Sequence, residues 1–306
     1  MDKDKQDNKQ QPEEMPENTI EQPVQEEVSA EDVSLQPRAR RKKGKETKPL
    51  SPQQAKKRNR IYTAVMVLAL AVLAVSVYML ITSGADYRAG KKEYNSVADD
   101  YVIPGELGLF TIDFDGLAAI NSDIAGWIQI PDTIINYPIV QGKDNDYYLN
   151  HTFMKQYYKV GAIFMDANNT KDFSDKNTVI YGHHMQDGSM FASLTKYKED
   201  SYYREHPNIL LLLPDGRRIY AEIFTAFIVE ADYEYRQMRF NSDTDFVNYC
   251  ERMKSISLFD AHVNVGPKDR IITLSTCTYE YTDARFVVMA RISETQWNTN
   301  RDPDMD

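Results

Sequence analysis

The chain has 306 residues, a formal net charge of −10 at pH 7 and 42% hydrophobic residues. This length allows one large domain or two small ones, and the acidic balance argues against a nucleic-acid partner. Residues 1–60 contain no Phe, Tyr or Trp and are rich in Glu, Gln, Lys, Asp and Pro. Because such a segment buries too little apolar surface to offset its ordering entropy, its composition predicts a disordered tail.

An uncharged run of 21 residues, Ile61–Ile81, follows this tail. A helix of that length spans the roughly 30 Å of bilayer hydrocarbon. Lys and Arg crowd its N-terminal side in residues 38–43 and 56–60. By the positive-inside rule, we predict a lipid-contacting signal anchor over residues 61–82, with the tail in the cytoplasm and the rest of the chain outside the cell membrane.

A cleaved signal peptide is the alternative to an uncleaved anchor, because Ser83–Gly84–Ala85 resembles a cleavage site. The apolar run is longer than an ordinary signal-peptide core and begins far into the chain, which favours the uncleaved anchor. The following residues, 83–103, are polar with scattered apolar positions. We interpret them as an extracellular stalk or a short helix.

Residues 104–294 have the texture of an all-β sandwich or barrel, because short apolar runs alternate there with Gly, Pro, Asn and Asp. The predicted strands are 127–130, 137–140, 162–165, 178–181, 209–213, 219–229, 270–276 and 286–292. Asp215–Gly216 predicts a hairpin between two of them. N-cap candidates from Ser242 to Asp245 precede apolar residues at helical spacing, which predicts an inserted helix over 243–256. Residues 295–306 form a predicted C-terminal tail.

The two cysteines, Cys250 and Cys277, are consistent with one disulfide or with one reactive thiol and one buried spectator. Spacing does not decide between these alternatives. Cys250 lies on the apolar side of the predicted helix, which favours a buried position. Cys277 lies at the end of a predicted strand, where a scaffold can present a reactive side chain to solvent.

A nucleophilic thiol needs a base or a lowered pKa, and the sequence offers one well-placed histidine. Of the five histidines, His183 follows a predicted strand that ends at Gly182, so it lies at a strand end as Cys277 does. Its neighbour His184 points to the opposite side, so only one of the two should face the thiol. Arg285 begins the strand after Cys277 and supplies donors suited to a developing oxyanion.

These segments resemble the catalytic signatures of the sortases, and more narrowly those of the class B sortases of Gram-positive bacteria. The resemblance rests on TLSTC at Thr273–Cys277 followed by Arg285, and on YGHHM at Tyr181–Met185 followed by DGSMF at Asp187–Phe191. Further matches, in the family's order, are Gly126–Ile128, Tyr137–Gln141, Asp144–Leu149 and Gly161–Asp166.

The resemblance implies an eight-stranded sortase-type β-barrel with an inserted helix, over residues 104–294. It implies a cysteine transpeptidase that cleaves an LPxTG- or NPxTN-like sorting motif of secreted proteins after Thr. Cys277 would be the nucleophile, His183 the acid/base and Arg285 the oxyanion stabiliser. Tyr181, Ser275 and Thr276 would contact the substrate. The acceptor would be an amine of the peptidoglycan precursor or wall peptide, or a pilin lysine.

Two rival readings stay open on sequence grounds. The same site could use water as acceptor and act as a plain hydrolase. Alternatively the chain could be a membrane-tethered scaffold in which the two cysteines form a disulfide. No cofactor is expected, and the sequence lacks the Cys-x-x-Cys, His-Glu-x-x-His and acidic-loop patterns typical of metal sites.

Overall fold

A computed structural model describes residues 51–105, 110–278 and 283–297. The chain divides into two units, Met1–Thr63 and Ala64–Asp306. Of the first unit the structure describes residues 51–63, which are helical from Pro52 onwards. The second unit contains the β-barrel.

The helices are α1 (Pro52–Tyr101), α2 (Phe114–Ile120), α3 (Tyr147–Asn150), α4 (Asp200–Glu205) and α5 (Asp243–Ser255), with a 3₁₀ helix at Ala192–Lys198. The strands are β1 (Val102–Pro104), β2 (Phe110–Ile112), β3 (Ile124–Gln129), β4 (Asn136–Val140), β5 (Ile163–Met165), β6 (Asn177–Tyr181), β7 (Asn208–Leu212), β8 (Arg217–Glu230), β9 (Ile271–Cys277) and β10 (Ala284–Trp297).

Strands β3 to β10 close into a barrel in the order β10-β8-β7-β3-β4-β5-β6-β9. The eight predicted strands and the barrel are therefore confirmed. The predicted hairpin is confirmed between β7 and β8, where Gly216 adopts a φ of +90° that side chains rarely tolerate. The predicted inserted helix is confirmed as α5, which the Ser242 hydroxyl caps by accepting from the Asp245 N–H.

Helix α1 departs from two predicted boundaries. Residues 52–60 are helical instead of disordered, because Ser51 and Gln54 form a reciprocal capping box ahead of a run of good helix formers. The predicted tail residues 1–50 lie outside the described residues. The segment 83–103, interpreted as a stalk or a short helix, is helical up to Tyr101 as part of this long helix, and its last turns pack on the barrel.

The packing of α1 moves the start of the folded unit well before residue 104. Tyr94 and Val97 are buried in the main apolar cluster, and the carboxyl group of Glu93 is also buried.

At the C-terminal end of the domain, β10 continues to Trp297, three residues beyond the predicted domain limit, and residues 298–306 lie outside the described residues. Residues 295–297 continue the pairing with β8 through backbone groups. A pattern of apolar side chains does not show such pairing, so the sequence did not predict this extension.

Two apolar clusters line the two faces of the barrel wall. The larger one contains Leu274, Phe286 and Val288, and the second contains Ile271 and Val287 together with residues of α5. Successive strand residues alternate between these clusters, as the pleat requires. Helix α5 and its flanking segments therefore cover one face of β9 and β10.

One described helix, α1, is long and apolar enough to cross a membrane. An 18-residue window in it has a mean hydropathy of 2.8, and none of that window is buried. Length and composition alone support this assignment.

Candidate active site

The ends of three neighbouring strands place the predicted catalytic residues side by side. In the parallel pair β6–β9, Tyr181 is opposite Ser275, so His183 and Cys277 each lie two residues beyond a paired position. In the antiparallel pair β9–β10, Arg285 is directly opposite Cys277. Directly opposite residues share a face. Cys277 therefore lies between His183 on one side and Arg285 on the other.

These strand ends border a cleft of about 200 Å³. Its lining residues are Asn145, Leu149, Phe164, Tyr181, Gly182, His183, Tyr235, Arg236, Ser275, Thr276, Cys277 and Arg285. All six site residues predicted from the sequence are among them. Both cysteines are free thiols, with Cys277 exposed and Cys250 buried, so the disulfide-linked scaffold is not what the structure shows.

His183 is held by the chain that precedes it in sequence. Its Nε2 lies 2.7 Å from the carbonyl oxygen of Leu149, at α3. A carbonyl oxygen only accepts hydrogen bonds, so Nε2 carries the proton in this arrangement. Nδ1 is then the nitrogen that can exchange a proton with a reacting group.

His184 points elsewhere, as the alternation of strand-end residues predicts. Its Nδ1 lies 2.7 Å from the carbonyl oxygen of Cys277, and its backbone forms a bridge with Met190. The two adjacent histidines thus have different partners: His183 borders the cleft, and His184 contacts the main chain of the cysteine.

Arg285 is half-buried at the start of β10. Its Nη1 donates to the carbonyl oxygens of Asp283 (3.2 Å) and Ala284 (3.1 Å), which holds the guanidinium beside the cleft. A guanidinium carries five N–H donors, so this anchoring leaves donors for an oxygen that develops negative charge near Cys277.

Two of the three predicted substrate-contacting residues present side chains that are already hydrogen bonded. The Tyr181 hydroxyl donates to Oδ2 of buried Asp166 at 2.8 Å, and burial together with that carboxylate raises the pKa of Tyr181 well above its usual value. The Ser275 hydroxyl is 2.9 Å from the hydroxyl of Tyr235, whose pKa burial also raises. Both tyrosines are therefore neutral at physiological pH.

Thr276 differs from its two neighbours in β9. Its side chain shares the face of its partner Phe286, which belongs to the larger apolar cluster, while Ser275 and Cys277 share the other face. The Thr276 side chain is buried. Any contact between Thr276 and a ligand in the cleft would therefore come from its main chain.

Sequence reasoning missed several cleft residues, notably Tyr235, Arg236 and Phe164. Phe164 lies in a segment that already matched a family pattern, so that match could have placed it near the site. Tyr235 lies in the connection between β8 and α5, where no motif or periodicity distinguishes it. Only the fold brings its hydroxyl to Ser275.

Comparisons with known proteins agree with this geometry. A family model described as a sortase domain matches residues 128–293. The chain is 44% identical over 179 residues to sortase B of Listeria monocytogenes, covering 58% of this chain and 72% of that protein. It is 32% identical over 237 residues to sortase B of Staphylococcus aureus, covering 76% and 97%. A Staphylococcus aureus sortase B–substrate complex has a similar structure, with a TM-score of 0.59, 34% identity and coverage of 68% and 98%.

Proposed function

The chain belongs to the sortase family, as a class B sortase and cysteine transpeptidase, and we propose that Cys277, His183 and Arg285 are its catalytic residues. The observation that carries this assignment is the strand register, which puts Cys277 between the other two at one cleft. Sorting and anchoring of surface proteins is the general function of the family. The specific substrates and the membrane setting are part of the proposal.

In the first half of the reaction, Nδ1 of His183 takes the proton of the Cys277 thiol, and the sulfur attacks the carbonyl carbon of Thr in an LPxTG- or NPxTN-like sorting motif. Arg285 donates hydrogen bonds to the oxyanion that forms on that carbonyl. The bond between Thr and its successor then breaks, and His183 protonates the leaving amine. A thioacyl-enzyme on Cys277 remains.

In the second half, an amine of the cell-wall peptidoglycan attacks the thioacyl carbon. His183 accepts a proton from the incoming amine, the carbon–sulfur bond breaks, and the leaving sulfur takes that proton from His183, which releases the joined product and restores the thiol. Tyr181, Ser275 and the main chain of Thr276 border the cleft in which the motif would lie. The half-buried Tyr181–Asp166 and the buried Tyr235–Ser275 hydrogen bonds fix that wall before substrate binds.

The test separates transfer from hydrolysis. Fluorescent peptides carrying LPxTG- and NPxTN-type motifs are incubated with the enzyme, with and without an added wall-peptide amine. We expect cleavage after Thr and an amide-linked product that grows with amine concentration. Cleavage whose products contain only the free acid at every amine concentration would support the hydrolase instead.

The same proposal includes a membrane topology. Residues 61–82 would lie in the lipid bilayer, with the basic N-terminal side in the cytoplasm and the barrel outside, where secreted substrates and peptidoglycan precursors are found. The uncharged apolar run and its flanking charges support this orientation. Protease added to intact wall-less cells should digest the barrel domain. A barrel that is protected until the cells are lysed would contradict the topology.

A further inference from the structure

Helix α1 contacts the loop that supports the His183 imidazole, and this contact has no counterpart in the catalytic scheme above. The Tyr94 hydroxyl donates to the carbonyl oxygen of Gly161 at 2.7 Å and accepts from the Phe153 N–H at 3.2 Å. The preceding residue of the helix, Glu93, also contacts this loop. Its carboxylate accepts from the Thr152 hydroxyl at 2.8 Å and from the Met154 N–H at 2.9 Å.

These contacts are buried, which restricts the movement of the loop relative to the helix. Tyr94 is 5% exposed and Thr152 is fully buried. Burial raises the pKa of Glu93, although the two hydrogen bonds it accepts favour its charged form. Because hydrogen bonds that leave buried partners unsatisfied are costly to break, the 152–161 loop is held to the helix at both of its ends.

Gly161, the last residue of this loop, packs against the side chain of His183. Its φ is +57°, and a Cβ added there would lie 2.7 Å from the Leu149 carbonyl oxygen and 2.9 Å from Cδ2 of His183. The backbone of Gly161 is therefore packed against both members of the His183–Leu149 hydrogen bond. The next residue, Ala162, donates its N–H to the carbonyl oxygen of Tyr148 at 2.9 Å, which positions the turn that carries Leu149.

We infer that Tyr94 and Gly161 are positioning residues for His183: helix α1, through Tyr94, holds Gly161 so that the Leu149 carbonyl keeps the imidazole proton on Nε2. This inference rests on the proposed function, in which Nδ1 of His183 exchanges the proton. It gives α1 a second role, since the helix that contains the predicted membrane span also supports the acid/base group. A carbonyl here takes the part that a side-chain acceptor plays in other Cys–His sites.

The main experiment replaces Tyr94 by Phe in the full-length chain in detergent micelles. Phe keeps the ring in its apolar contacts and removes only the hydroxyl. We expect kcat to fall about fivefold to tenfold with KM unchanged, since both hydrogen bonds between the hydroxyl and the supporting loop are lost. The matched control is Tyr197→Phe, which removes another buried hydroxyl that donates to a carbonyl, that of His206 at 2.6 Å, outside the cleft.

A spectroscopic readout tests the inference without using activity. With ¹⁵N-labelled histidine, the two ring nitrogens of His183 report which one carries the proton, and the spectrum of His183→Gln identifies their signals. We expect protonation on Nε2 in the wild type and in Tyr197→Phe, and a mixture of the two tautomers in Tyr94→Phe. An unchanged tautomer in Tyr94→Phe overturns the inference, whatever happens to kcat.

A second pair of variants perturbs the same contact from the helix side. A Cβ at Gly90 would lie 2.4 Å from Cγ1 of Val160, so Gly90→Ala should push α1 away from the loop and lower kcat. Gly90→Ala/Val160→Ala removes the colliding methyl group and should restore both kcat and the Nε2 tautomer. Failure of the double variant to restore either one would contradict the inference. If His183→Ala is fully active, the proposed function fails, but the tautomer result still decides whether α1 positions the ring.

Discussion

Strand β9 passes through two different environments, and a cysteine lies in each of them. At its start, Ile271 and Thr273 are fully buried beneath the segment that contains α5, where Cys250 belongs to the same apolar cluster as Ile271. At its end, Cys277 lies uncovered in the cleft. The same face of one strand thus changes from core to active site within seven residues. Burial, and not residue type, determines which thiol can meet a substrate.

The covered half of this face is sealed by polar groups as well as apolar ones. The Thr273 hydroxyl donates to Oδ1 of Asn177 at 2.7 Å, and Nδ2 of Asn177 donates to the carbonyl oxygen of Gln237 at 2.9 Å. The segment that covers this face ends at Tyr235, whose hydroxyl is hydrogen bonded to the hydroxyl of Ser275. Since the next residue on this face is Cys277, the cleft begins where the cover stops.

The strongest test of this contrast exchanges the two cysteines for inert residues. Cys277→Ala removes the thiol that would form the thioacyl-enzyme, so we expect no detectable cleavage of a fluorescent sorting peptide. Cys250→Ser should keep catalysis close to the wild-type rate and lower the stability of the domain, because it places a hydroxyl in an apolar cluster. An inactive but folded Cys250→Ser protein would break the comparison.

The adjacent histidines provide the next test. His183→Ala should lower kcat/KM by roughly 10²- to 10⁴-fold, the range for loss of a general acid/base. His184→Ala should cost about tenfold or less, since it removes a hydrogen bond to the main chain of Cys277 and no reacting group. Both variants are measured with one peptide, and their circular dichroism checks folding. A larger loss in His184→Ala would reverse the assignment.

Two arginines on β10 give a smaller expected effect with an internal control. Arg285→Lys keeps the charge and loses the planar fork, so we expect a decrease in kcat on the order of 10²-fold if Arg285 binds the oxyanion. Arg291 lies on the same strand opposite Ile271, where it pairs with Glu222 and donates to the Asn264 carbonyl. Arg291→Lys should leave kcat near the wild-type value, and equal losses in the two variants would point to a structural effect.

The strands of the barrel were predictable because their burial is local and periodic. Trp127–Ile130, for example, is an apolar run between turn residues, and the structure places β3 at Ile124–Gln129. The docking of α1 was not predictable in this way. Glu93 and Tyr94 lie in a polar stretch, and both are hydrogen bonded to a loop some 60 residues later in the chain. Tyr235 was missed for the same reason, since its partner lies on β9.

The smallest expected effect concerns the pH dependence of stability. Burial raises the pKa of the Cys250 thiol from 9.0 to about 12. Between these values the unfolded chain releases the thiol proton while the folded chain retains it, so rising pH favours unfolding. Denaturant unfolding of residues 83–306 should therefore give a lower free energy of unfolding at pH 10.5 than at pH 8. This decrease should be smaller in Cys250→Ala, which lacks the thiol. The difference is about 1.4 kcal/mol per pH unit above pH 9 and absent below it. Equal slopes in the two proteins would mean that solvent reaches Cys250 in the folded state, which would remove the contrast with Cys277.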